Sequence, residues 1–99
     1  MTPTEAASAL ANGAVLLDVR TPPEWDICSV EGSTKISMQT IAARVDELPR
    51  DKQIAVLCHH GGRSAQVTAF LNQKGFDAHN VEGGIELWAT ELDPSLARY

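Results

Sequence analysis

Short apolar runs alternate along this chain with segments whose apolar positions recur at helical spacing. Ala14-Val15-Leu16-Leu17-Asp18-Val19 is nearly continuous in apolar residues, the pattern of a strand buried on both faces. Ile54-Ala55-Val56-Leu57 is a second such run. Lys35-Ile36-Ser37 is a weaker strand candidate, and Ala78 to Val81 supplies the last. The intervening segments read as helices. Thr4 is placed to cap one that runs through Ala11, with Gly13 ending it. Thr21 precedes Pro22 and Pro23, an N-cap followed by prolines at a helical opening. Ile41, Ala42, Val45 and Leu48 share a helical face that Pro49 terminates. Ala65, Ala69, Phe70 and Leu71 mark a helix ending near Gly75, and Gly83-Gly84 precedes one carrying Ile85, Leu87 and Trp88.

Strands alternating with helices predict an α/β fold, a parallel sheet covered on both faces by crossover helices. In such sheets ligands bind beyond the carboxyl ends of the strands, and Cys58 sits at that end of the Ile54 to Leu57 run. Ninety-nine residues, 43% of them hydrophobic and 21% charged, suit one domain spanning residues 1–99 with one core. Two cysteines are too few for a stapled scaffold. A net charge of −5 with scattered basic residues argues against nucleic acid or anionic membrane as a partner. No Lys or Arg precedes Arg20, so the basic region of a secretory signal is missing. Cytoplasmic residence is the expectation, since an unpaired thiol suits a reducing compartment.

The chemistry concentrates in Val56-Leu57-Cys58-His59-His60-Gly61-Gly62-Arg63-Ser64. A helix starting at Arg63 or Ser64 would wrap this loop around its N-terminus, where unpaired N–H groups and the positive dipole end favour an anion. A thiol there ionises more easily, and the thiolate is the nucleophile. Gly61 and Gly62 allow the backbone to turn its N–H groups inward. Arg63 adds a permanent cation with forked donors suited to oxyanions.

The loop resembles the Cys-x-x-Gly-x-Arg active-site loop of the rhodanese family of sulfurtransferases, with Cys58, Gly61 and Arg63 on its defining positions. Leu17-Asp18-Val19-Arg20, followed by Pro22, Pro23, Glu24 and Trp25, is similar to the family's "DVR" segment and aromatic turn. Val81-Glu82-Gly83-Gly84-Ile85-Glu86-Leu87-Trp88 is similar to its "EGG…W" signature. The one departure is Cys28-Ser29-Val30-Glu31-Gly32-Ser33, where many members carry Gly-His-Ile-x-Gly-Ala; Ser29 stands at the histidine. The resemblance implies a three-layer fold around a small, mostly parallel sheet of about five strands. It also implies a Cys58 persulfide that takes sulfur from thiosulfate or a protein persulfide and passes it to cyanide, a thiol or a protein acceptor. His59, His60, Gly61, Gly62, Arg63 and Ser64 would bind the donor, and no metal or organic cofactor is called for.

Two other functions fit the same loop: a noncatalytic persulfide carrier or interaction module docking on a larger enzyme, and a cysteine phosphatase. Cysteine phosphatases resemble a Cys-x5-Arg pattern, whereas four residues separate Cys58 from Arg63 here; a shorter loop crowds a tetrahedral phosphate. Zinc is disfavoured because the Cys58-His59-His60 side chains of a tight loop diverge and no spaced second pair completes a tetrahedral set. Asp18 and Arg20 read as turn-fixing residues, Trp25 and Trp88 as core or pocket wall. Cys28 reads as a small filler, and its alternative role as a resolving thiol requires Cα atoms within roughly 7 Å of each other.

Overall fold

The computed structural model describes residues 1–99, with elements in the order α1 (Pro3–Ala11), β1 (Val15–Asp18), α2 (Pro22–Ile27), β2 (Thr34–Lys35), α3 (Ile41–Arg44), a 3-10 turn (Val45–Glu47), β3 (Gln53–Leu57), α4 (Gly62–Gln73), β4 (Asp77–Asn80) and α5 (Gly84–Glu91). The sheet is wholly parallel, ordered β2-β1-β3-β4. Each expected strand is present, the weakest displaced from Lys35-Ile36-Ser37 to Thr34–Lys35, but the sheet has four strands rather than about five. On the free edge of β4 only Met1 pairs, its N donating to Asn80 O and its carbonyl accepting from Glu82 N. Two bonds make a bridge rather than a strand.

Side-chain alternation along β1 and β3 divides the core. Leu17, Val19, Ile54, Val56 and Cys58 pack with Ile41, Val67 and Leu71 on the face covered by α3 and α4. Leu16, Ala55 and Leu57 pack with Ala6, Ile85 and Trp88 on the face covered by α1 and α5. Burying an aliphatic side chain of this size contributes about 1.5–3 kcal/mol, so a strand buried on both sides must be apolar at nearly every position. That is the continuous pattern of β1 and β3.

Local signals set the helix ends, with shifts from expectation at α1 and α3. The cap of α1 is Thr2, not Thr4: its hydroxyl accepts from Glu5 N while the Glu5 carboxylate accepts from Thr2 N, a reciprocal capping box. The segment after Thr40 is helical only to Arg44 and tightens into the 3-10 turn before Leu48 and Pro49. α2 begins as expected after Thr21, with Glu24 accepting from Thr21 N and Oγ1.

The order β2-β1-β3-β4 puts a switch point between β1 and β3, since the chain leaves β1 toward one edge and β3 toward the other. A crevice at the carboxyl ends follows, and the segments after β1 and β3 flank it. Gly84 fixes the depth of one wall. Its φ is +60, and a Cβ there would lie 2.3 Å from His59 O, so the backbone of α5 and that of the Cys58 loop touch. Gly84→Ala is expected to lower stability well beyond the roughly 1–2 kcal/mol of a left-handed residue alone. Gly13→Ala is the control, with positive φ but nothing within 4 Å of the added Cβ. Urea denaturation should show the larger loss for Gly84→Ala; equal losses would mean the contact carries no strain.

Candidate functional site: a cysteine at a helix N-terminus

Cys58 follows β3 directly and is 1% exposed. Its sulfur accepts a hydrogen bond from Gly61 N at 3.0 Å and lies 3.2 Å from Ser64 Oγ. The helix begins at Gly62, one residue earlier than expected, with Gly61 as its N-cap at φ +110. That left-handed conformation turns the N–H back toward the sulfur. Gly62 has no positive φ and open space where a Cβ would stand, so only Gly61 of the pair is required by geometry. Burial of the thiol opposes its ionisation, but hydrogen bonds from the Ser64 hydroxyl and from the N–H groups of Ser64, Gly61 and His60 outweigh it. The net effect holds the Cys58 pKa below its ordinary value.

A second helix N-terminus holds the loop from behind. Ile85 N donates to Cys58 O at 2.8 Å and Glu86 N to His59 O at 3.1 Å, so the first turn of α5 finds its acceptors in the loop. Asn80, at the end of β4, closes the remaining side. Its Nδ2 donates to Gly61 O at 3.2 Å, and its Oδ1 accepts from Ser64 Oγ at 2.5 Å.

Arg63 pairs across the crevice with the segment after β1. It makes a bidentate pair with Glu24, at 2.6 and 2.8 Å, and Glu24 also accepts from Tyr99 OH at 2.6 Å. Tyr99 OH accepts in turn from Arg20 Nη1 at 2.9 Å. Arg20 is fully buried and clamps Asp18 through Nε and Nη2, while Nη1 also donates to Glu24 O and Nη2 to Cys28 O. Asp18 and Arg20 are therefore structural, as expected, and they tie the first crossover to the crevice. Arg63 and then burial act oppositely on the Glu24 carboxyl, and the ion pair prevails, holding it far below the carboxylate range. Burial and then the Glu24 carboxylate push the Tyr99 phenol up to about 12.

The two histidines are held by stacking. The His59 ring stacks on both His60 and Tyr99, with centroids 3.8 and 3.9 Å away. Burial and then the His60 charge lower the His59 pKa. No group of three His, Cys, Asp or Glu side chains is arranged to hold a metal. Ser29, at the position of the family histidine, donates to Trp25 O at 2.9 Å and finishes α2 instead. Cys28 packs against the α1 and α5 core while Cys58 packs against the other, so the two thiols belong to opposite faces of the sheet. Sequence reasoning passed over Glu24 as a partner, Asn80 and Tyr99. An acid in the aromatic turn opposite a loop arginine was a readable signal for the first; nothing local marked Tyr99, which meets Arg20 from 79 residues away.

A parallel α/β domain with a cysteine cradled by a helix N-terminus defines a class of protein in which the fold favours an anionic sulfur. Comparison narrows it: residues 2–91 match the Rhodanese-like domain, and the chain belongs to that family. It is 40% identical over 90 residues to a protein named thiosulfate sulfurtransferase GlpE from Pseudomonas syringae, covering 89% of this chain and 85% of that one. It is 36% identical to a Mycobacterium tuberculosis protein named "Probable adenylyltransferase/sulfurtransferase MoeZ", across 100% of this chain but only 26% of that protein. A rhodanese-related protein from Thermoplasma volcanium superposes with a TM-score of 0.87 at 35% identity, covering 93% of this chain and 91% of that one. The Bacillus anthracis CoADR-RHD structure gives 0.89 at 33% identity, where this whole chain corresponds to 18% of the larger one.

The depressed Glu24 carboxyl has a signed consequence. A group whose folded pKa lies below its unfolded value, ordinarily 4.5, stabilises the fold above that value and loses the contribution as pH falls through the folded one. The Tm gap between wild type and Glu24→Gln should be widest near about pH 6–7 and shrink steadily below about pH 4.5. Thermal melts across that range check it; a gap that does not vary with pH would mean the pair with Arg63 is not formed in solution.

Proposed function

We propose that the chain is a single-domain sulfurtransferase that carries sulfur as a Cys58 persulfide. The observation that carries the reading is the sulfur of Cys58 at the N-terminus of α4, within hydrogen-bonding distance of Gly61 N and Ser64 Oγ. In the first step the Cys58 thiolate attacks the outer sulfur of thiosulfate, an S–S bond forms to Cys58, and the original S–S bond breaks with its electron pair leaving on sulfite. In the second, cyanide or a thiolate takes the outer sulfur and the Cys58 thiolate departs. Charge is conserved in both steps, and neither needs an oxidant. This is covalent catalysis by an activated nucleophile, and the inward N–H groups stabilise whichever sulfur bears the charge.

His59, His60, Gly61, Gly62, Arg63 and Ser64 form the binding loop, with the backbone as the principal donor. Arg63 has five N–H groups and gives two to Glu24, so the rest are free for the sulfonate of the donor. The relatives named as thiosulfate sulfurtransferases support this donor class. The four-residue spacing from Cys58 to Arg63 favours a single sulfur atom over phosphate. Two unpaired cysteines suit a reducing compartment such as the cytoplasm, and no helix is long and apolar enough to cross a membrane. The second reading, a persulfide carrier serving a larger enzyme, draws support from the relatives in which the matching segment is 26% and 18% of a longer chain.

Intact-protein mass spectrometry after incubation with thiosulfate should show a gain of one sulfur atom in wild type and none in Cys58→Ser; a Cys58→Ser protein that still gains it would remove Cys58 from the reaction. Multiple turnover with thiosulfate and cyanide separates the enzyme from the carrier. Arg63→Lys keeps the charge and loses the fork. It should reduce kcat/KM for thiosulfate by about tenfold or more, while stability falls by no more than roughly 1 kcal/mol because the pair with Glu24 is partly exposed. Unchanged turnover would assign the donor's oxyanion to backbone groups alone.

A further inference from the structure

We propose that Asn80 is a positioning residue that sets how readily Cys58 ionises, by competing with the sulfur for the single hydroxyl proton of Ser64. The inference rests on Cys58 being the reactive thiol and extends to a residue outside the loop. Ser64 Oγ lies between two partners, Cys58 Sγ at 3.2 Å and Asn80 Oδ1 at 2.5 Å. The amide orientation of Asn80 is set by its other bond, because Nδ2 donates to the carbonyl oxygen of Gly61 and that oxygen can only accept. Oδ1 therefore faces Ser64 and must receive the hydroxyl proton.

A hydroxyl has one proton to give. While Cys58 is a thiol, its S–H donates to Ser64 Oγ and the Ser64 O–H donates to Asn80, a satisfied chain that runs from the buried sulfur to the partly buried amide. Once Cys58 is a thiolate, that arrangement sets the lone pairs of Ser64 Oγ against a negative sulfur. The hydroxyl must rotate to the sulfur and leave Asn80 Oδ1 without its short bond. Asn80 is partly buried, so giving up the bond costs the net strength of one hydrogen bond, with water only a partial replacement. Asn80 thus favours the neutral thiol. In the persulfide the charge resides on the outer sulfur, Sγ is neutral, and the hydroxyl is free to return to Asn80. Departure of the thiolate in the second step draws it back.

The other charged and titratable groups near the loop are Arg63 on α4, Glu24 on α2, Glu86 on α5, His59 and His60 in the loop itself and Tyr99 in the tail. None of them hydrogen-bonds to Ser64 Oγ, whose partners are Cys58 and Asn80. The effect of Asn80 is therefore separable by a mutant cycle. Asn80 has a second route to the sulfur, because Gly61, whose carbonyl it holds, also donates its N–H to Sγ. The cycle distinguishes the two.

The experiment measures the rate of iodoacetamide alkylation of Cys58 against pH in a Cys28→Ser background, which requires no sulfur donor and so succeeds or fails independently of the transfer reaction. Asn80→Ala should lower the apparent pKa by roughly 0.5–1 unit, the effect of one hydrogen bond of ordinary net strength. Ser64→Ala should raise it, and Asn80→Ala should produce no further shift once Ser64 is alanine. A pKa unchanged or raised by Asn80→Ala would overturn the proposal. So would a drop that persists in the Ser64→Ala chain, since that effect would pass through Gly61. Should Asn80→Ala fail to fold, the similarly sized Asn80→Asp carries the same test with opposite sign. Its charge opposes ionisation in either background, and the rise must be larger when Ser64 is present; equal rises would overturn the competition.

Discussion

The contact between the N-terminus of α5 and the backbone of Cys58 and His59 is the constraint on which the site depends. Peptide N–H groups at a helix start need acceptors, and those of Ile85 and Glu86 find them in the two loop carbonyls. With the carbonyls engaged on that side, the N–H groups of the loop face the other way, toward the sulfur. The approach is close enough that only glycine fits at position 84. One helix therefore orients the loop from behind while a second, α4, supplies positive potential in front. The sulfur occupies a position where both effects favour an anion, despite its burial.

The crevice is closed electrostatically by a chain of charges drawn from distant parts of the sequence. Asp18 and Arg20 leave β1 as a fully buried pair. Burying such a pair is unfavourable unless the remaining donors are met, and here the rest of the Arg20 guanidinium is met by Glu24 O, Cys28 O and Tyr99 OH. Tyr99 passes the connection to Glu24, and Glu24 to Arg63. The loop cation is thereby positioned by the segment after β1, on the far side of the switch point. The arrangement leaves the sulfur under backbone donors, while the Arg63 guanidinium is paired with the Glu24 carboxylate instead of the thiolate.

The apolar runs of β1 and β3, the proline-opened α2 and the glycines before α4 and α5 were legible because each expresses a local rule. A strand buried on two faces must be continuously apolar, and a turn with positive φ needs glycine. Cys58, Gly61 and Arg63 were legible for a related reason, since the loop that joins a strand end to a helix start lies within a few consecutive residues. The fifth strand was expected from resemblance, and no fifth apolar run supported it; β4 has only Met1 on its free edge. Residue identity and spacing thus determined the α/β class, the place of Cys58 at the end of β3 and the helix whose N-terminus it meets. Tertiary structure alone decided that Arg63 turns to Glu24, that Tyr99 lies on His59, that Cys28 faces the opposite core from Cys58, and that Asn80 holds the Ser64 proton. These contacts join side chains from different crossovers, and their geometry exists only once strands of separate segments lie side by side in the sheet.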